Sequence, residues 1–154
     1  MPKTLQTFIC GAIEKTRVEL ETAVIRLPED RRNWSPMGTA RTALDMVAEC
    51  ALLHATTAGV IRNRAFDPAF DFGKYGEEKA ALAQDWPKLQ LLLQANSATI
   101  AAAISEVPDQ DLDQSISMPW GPMALADIIA YPYWNMSYHL GQINYLASML
   151  DCLD

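Results

Sequence analysis

Apolar positions recur at helical spacing over most of the chain, in four blocks separated by connections rich in breakers. In the first block, from about Thr4 to Arg26, Leu5, Phe8, Ile9, Ala12, Ile13, Leu20, Val24 and Leu27 fall near helical spacing, and Pro28 ends the run. The connection "EDRRNWSPMG" leads to a second helix from about Thr39 to Arg62. Thr39 is the predicted N-cap, because its hydroxyl can accept from the free amides of the first turn. The segment "NRAFDPAFDFGKYG" reads as a loop, yet Phe66, Phe70, Phe72 and Tyr75 are too apolar for a free linker, so it is expected to fold over the bundle end. A third helix from about Glu77 to Glu106 buries Leu89, Leu92, Leu93, Ile100, Ala103 and Ile104, with Pro87 kinking or dividing it. After the connection "VPDQDLDQSISMPWGP", a fourth helix runs from near Met123 to near Leu150, and Pro132 should kink it. The prediction is an all-α four-helix bundle forming one domain over 1–154, with no repeats or linker. Connections of roughly ten residues or more allow crossovers between helices.

The last helix holds polar residues where a plain core would not. With His139 as reference, Leu125, Ile128, Pro132, Met136, Ile143, Leu146 and Leu150 all fall within about 60° of it on an ideal helix. Asn135 and Gln142 flank that arc one turn before and after. Each of the three side chains needs a hydrogen-bond partner or a metal, because burying it unpaired costs free energy. Asn135 and His139, at i and i+4, can reach one point between helices. Spacing alone leaves two readings open, a paired core histidine and a ligand pair.

Charge and cysteine content narrow the classes. Twelve basic against nineteen acidic residues give a formal net charge of -7, with no basic stripe, which argues against a nucleic-acid partner. No apolar run approaches the roughly 20 residues that cross a bilayer, and Lys15, Arg17 and Glu19 interrupt the first segment, so neither a membrane span nor a signal peptide is expected. Cys10, Cys50 and Cys152 form no CxxC pair and read as reduced thiols of a cytoplasmic protein. A redox role for Cys50 lacks a partner thiol.

"YHLGQINYL" resembles the last helix of the DinB-like (DinB/YfiT) superfamily, four-helix bundles with a metal site of three histidines. That helix carries H-x-x-x-H followed by G-Q-I or a similar segment. His139 matches the second histidine and Gly141-Gln142-Ile143 the segment after it, while Asn135 stands at the first histidine's position. Laying the family register on "RTALDMVAECALLH" puts Glu49 at the remaining ligand position, and "NWSP", Trp34 to Pro36, resembles the family's W-x-P lead-in. Helical phase points the other way: His54 shares its face with Ala43, Val47, Cys50, Ala51, Ala58 and Ile61, whereas the face of Glu49 is mixed. The resemblance favours Glu49 and leaves His54 open.

The resemblance implies a divalent metal, zinc or nickel, held by Glu49, Asn135 and His139, with Gln142 orienting water or substrate. It further implies a thiol-dependent S-transferase, an isomerase or a hydrolase that works with a low-molecular-weight thiol on a small-molecule substrate, and a homodimer. The alternative is a non-catalytic bundle, ligand-binding or dimeric, whose polar trio is a metal-free buried cluster. Tyr131, Tyr138 and Tyr145 read as helix-packing aromatics. Arg62 and Arg64 read as solvated helix ends or as a clamp on a substrate carboxylate.

Overall fold

The computed structural model describes residues 3–154. Five helices, α1 (Leu5–Arg26), α2 (Ala43–Asn63), α3 (Phe72–Leu82), α4 (Trp86–Ser105) and α5 (Leu125–Met149), are joined by short 3-10 turns and one hairpin. The long helices α1, α2, α4 and α5 make a four-helix bundle. In it α1 packs on α5 and α4, and α2 packs on α4 and α5, whereas α1 and α2 barely touch. The consecutive helices α1 and α2 therefore sit at opposite corners, and the connection after α1 crosses the bundle end. Ile13, Leu20, Leu89, Leu93, Ile100, Ile104 and Ile129 fill the interior, all fully buried. Each such side chain contributes roughly 1.5–3 kcal/mol through the apolar surface it removes from water.

Side-chain caps decide where the helices start. Thr42, not Thr39, caps α2, its hydroxyl accepting from the Asp45 amide at 3.2 Å. Gly38 at φ +54° turns the chain before it, and Asn33 fixes the Thr42 hydroxyl at 3.1 Å. The expected third helix is two helices. Asp71 caps α3 at the Lys74 amide (3.0 Å) and Asp85 caps α4 at the Lys88 amide (3.1 Å). Pro87 sits in the first turn of α4, where its missing N–H costs nothing, so it starts a helix instead of kinking one. The predicted loop accordingly becomes helical at Phe72.

The connection before α5 holds an antiparallel hairpin that the apolar pattern does not announce. Strands β1 (Ser115–Met118) and β2 (Gly121–Ala124) pair Ser115 with Ala124 and Met118 with Gly121. Gly121 at φ +119° takes a backbone conformation closed to other residues. Ala124, at the cap position of α5, has no side chain to offer, and the carbonyls of Gln114 and Leu112 accept from the Leu125 and Ala126 amides instead, each at 2.9 Å. The hairpin segment and α5 are thus tied together. α5 then runs unbroken through Pro132.

The expectation that no segment is apolar enough to span a membrane needs correction. Among the described residues α2, at 21 residues, meets the length and apolarity of a span. Two thirds of its most apolar stretch, 67%, lies buried inside the bundle, which accounts for the composition.

Candidate functional site: a polar cluster under an aromatic cleft

Glu49 on α2 and the pair Asn135 and His139 on α5 converge in space. His139 Nε2 and Asn135 Nδ2 each lie 3.1 Å from Glu49 Oε1. Gln142, one turn on, lies 2.6 Å from His139 Nδ1 and orients the ring from behind. The Cys50 thiol donates to Asn135 Oδ1 at 3.3 Å. On the other carboxylate oxygen, Arg41 Nη1 approaches Glu49 Oε2 to 2.7 Å. Arg41 also donates through Nε to Asp45, which in turn pairs with Lys79 of α3 at 3.4 Å. A chain of paired charges thus runs from the surface to two side chains, Asn135 and His139, that are each only 3% exposed.

The electrostatics follow from these bonds. Hydrogen bonding from His139, then from Asn135, together with the Arg41 charge, outweighs burial and brings Glu49 down to about 2. It is a carboxylate at neutral pH. Burial, with the Glu49 charge beside it, pushes the Cys50 thiol up, so Cys50 is a neutral donor and no nucleophile. A carboxylate has no proton to give, so His139 must donate through Nε2. Either the ring is an imidazolium donating on both sides, or it is neutral and Gln142 turns its amide to donate to Nδ1.

Glu49 or His54, left open above, is decided by packing. His54 is fully buried and turned to α4, where Nδ1 meets the Ser97 hydroxyl at 3.1 Å, and its Nε2 has no partner of good geometry among the described residues. Burial lowers it to about 4, with the Pro132 backbone pulling weakly the other way. Helical phase is right that His54 is the more buried of the two, but the residue that meets the α5 pair is the half-buried Glu49.

Above the cluster α2, the 64–71 loop, α3, the hairpin and α5 enclose a cleft of about 500 Å³. Its walls include Phe66, Phe70, Phe72, Tyr75, Trp120 and Tyr131, and Glu49 is the single charged side chain among the described residues lining it. The rings pack on one another, with centroids 4.8 Å apart for Phe70 and Phe72 and 6.0 Å for Phe66 and Trp120. Burial, and then the Glu49 charge, raises Tyr75 to about 12 and raises Tyr131 as well, so both phenols stay protonated. The aromatic segment does fold over the bundle end, as its composition suggests. Trp120, Met118 and Met123 join it from the hairpin, which sequence reasoning missed for want of a strand signal.

The arginines do not reach this cleft. Arg64, left-handed at φ 53°, closes α2 and binds Asp111 (2.9 Å), Gln114 (3.1 Å) and the Ile61 carbonyl, so it is a tie to the hairpin segment and no substrate clamp. Arg62 is exposed. Of the tyrosines read as packing residues, Tyr131, Tyr138 and Tyr145 are 39%, 54% and 69% exposed. Trp134 stacks between the first two, at centroid distances of 5.4 and 5.5 Å.

The donor set does not fit a divalent metal. Glu49 supplies one negative charge, and a guanidinium already holds it. Asn135 turns its NH2 to the carboxylate and its carbonyl to Cys50, so it offers no oxygen at the common point. One imidazole remains, which is short of the nitrogen and sulfur ligands that hold zinc or nickel tightly. Among the described residues no group of three His, Cys, Asp or Glu side chains converges.

Comparison with known proteins gives the family. A search of curated proteins finds no match. Among solved structures, YfiT from Bacillus subtilis, a probable metal-dependent hydrolase with an unusual four-helix bundle topology, is similar with a TM-score of 0.82 at 17% identity, over 98% of this chain and 90% of that one. A mycothiol-dependent maleylpyruvate isomerase matches with a TM-score of 0.71 at 9% identity, over 93% of this chain and 61% of that one. The colibactin self-resistance protein ClbS, in complex with a dsDNA, matches with a TM-score of 0.66 at 14% identity, over 96% and 98%. These likenesses concern the fold. ClbS shows that a protein of this fold can be found with a dsDNA, so the fold does not by itself exclude the nucleic acid that the charge argued against. The model of the DinB superfamily matches residues 12–143, nearly the whole bundle, and the chain belongs to the DinB superfamily.

Proposed function

We propose that this chain binds a small molecule in the aromatic cleft, over a metal-free cluster of Glu49, Asn135 and His139. One observation carries the reading. The Glu49 carboxylate already accepts from three protein donors, one of them a guanidinium at 2.7 Å. A divalent cation entering there would meet Arg41 with like charge and would break the His139 hydrogen bond, so the cluster is stable as it stands. Glu49 then serves as a fixed, ionised acceptor on the cleft floor, His139 and Asn135 hold it, and Gln142 fixes the ring. The unit acts as one domain. The exposed Tyr131, Trp134 and Tyr138 stack on α5 supports the homodimer expected for it.

Elemental analysis of untagged protein tests this, as purified and after incubation with zinc or nickel, beside His139→Ala. The expected result is far less than one ion per chain in both proteins. Near-equimolar zinc or nickel, lost in the variant, would overturn the reading. It would leave a metal-dependent S-transferase, isomerase or hydrolase using a low-molecular-weight thiol, the reading that the printed descriptions of YfiT and the mycothiol-dependent isomerase support.

A further inference from the structure

The cleft has one charge and it is negative. Its other walls are aromatic, aliphatic or hydroxylic, and no lysine or arginine among the described residues lines it. Arg41 binds the carboxylate yet is not part of the lining. The fold does place cations over aromatic rings elsewhere, Lys3 over Phe8 and Arg32 over Trp86. Among the described residues, no such pair involves a ring of the cleft, so the negative faces of those rings are left for a ligand. Phe72 and Trp120, two rings of the lining, are 61% and 63% exposed and so can be reached from solvent.

From this geometry we infer that the cleft selects a small organic cation with an apolar body, an alkylated ammonium being the chemical class that fits. The inference rests on the metal-free reading above, since a metal at Glu49 would reverse the sign of the floor. An ammonium with methyl or benzyl substituents sheds little hydration on entry, so ring faces and carboxylate can act on it without a large desolvation cost. A ligand of the same shape without charge keeps the apolar contact and loses the attraction. A thiolate or a carboxylate meets Glu49 as a like charge; Arg41, on the far carboxylate oxygen and outside the lining, offsets part of that repulsion, and no cation in the walls offsets the rest. The cleft volume of about 500 Å³ suits one such molecule. The net charge of -7 adds a long-range field of the right sign.

Binding titrations of the untagged protein decide it. The probes are choline, its neutral carbon isostere dimethylbutanol, benzyltrimethylammonium and phenylacetate. Choline is expected to bind about tenfold more tightly than dimethylbutanol, benzyltrimethylammonium more tightly again, and phenylacetate not measurably. Glu49→Gln should cut the preference for choline over dimethylbutanol several-fold, leaving the part that the rings supply. Trp120→Leu, on an exposed position where folding is not at stake, should weaken choline several-fold and leave dimethylbutanol unchanged. Melting temperatures of both variants check that they fold. Equal affinity for choline and dimethylbutanol in the wild type, phenylacetate binding as tightly as benzyltrimethylammonium, a preference undiminished in Glu49→Gln, or no binding of any probe would each overturn the inference. Metal analysis of the same preparation separates the two failures. A lost preference without metal sinks the ligand class alone, while an equimolar metal sinks the reading beneath it as well.

Discussion

The chain has two histidines, both buried, and they end in opposite circumstances. His139 uses both ring nitrogens, one toward Gln142 and one toward the ionised Glu49. His54, fully buried, meets one hydroxyl, and its Nε2 finds no partner of good geometry among the described residues. The difference lies in what the facing helix brings. α2 delivers a carboxylate to His139, and that carboxylate reaches outward to Arg41 and Asp45. α4 delivers only Ser97 to His54, so the ring can be held only in its neutral form. An inward histidine is thus no sign of a site by itself; its partners make it one.

Removing the acceptor that distinguishes them should have the largest effect. Glu49→Ala strands His139, Asn135 and Arg41 together, and a loss of about 3 kcal/mol is expected in urea unfolding. A loss under about 1 kcal/mol would mean the cluster is held by packing alone. The two groups also separate by pH. Below 6.5, the ordinary value of a histidine, the unfolded chain takes up a proton that folded His54 refuses down to about 4, so stability falls across that window. The change amounts to roughly 3 kcal/mol. Glu49, at about 2 against an ordinary 4.5, loses its contribution as pH falls through the lower window. Its partial exposure screens that to about 1–2 kcal/mol. Urea unfolding of wild type and His54→Leu between pH 7 and 4 reads the first window directly, and a slope that survives in the variant would assign it elsewhere.

Leucine at each histidine sharpens the contrast at constant pH. His139→Leu should cost about 2 kcal/mol, since Glu49 loses a charge-assisted bond. His54→Leu should stay within about 1 kcal/mol of wild type, because it relieves an orphan nitrogen while depriving only Ser97. Reversal of that order in thermal unfolding would undo the comparison. The smallest effect is expected at Gln142→Ala, about 1 kcal/mol or less, accompanied by an altered His139 imidazole signal in NMR.

Much of the bundle was legible because α1 and α5 keep their apolar spacing over their full lengths. Boundaries were less so. Thr39 and Thr42 are equally good caps by chemistry, and only the Asn33 contact across the connection selects Thr42. Pro87 permitted a kink or a start, and Asp85, capping from two residues before, makes it a start. The hairpin was missed because β1 alternates polar and apolar over only four residues, and β2 opens on Gly121 and Pro122, which interrupt the pattern. At the site, the phase of α2 read His54 as buried and the Glu49 face as mixed, as found, but it could not show which of the two meets His139. The Arg41 to Glu49 bond joins a residue just before α2 to one two turns on, which sequence spacing alone does not reveal. Its half-buried course depends on α3 and the aromatic segment covering it, which local spacing does not encode.

α3 covers the cleft, yet Leu82 is its only buried residue, and Lys79 to Asp45 is its one ion pair to the bundle among the described residues. Its opening free energy therefore belongs at the low end of the molecule, far below that of α2 or α5. A bulky guest can enter by lifting this one short helix while the rest of the bundle stays closed. The same segment is where a protease would make its first cut, and a bound guest that bridges Tyr75 to the floor would slow that cut.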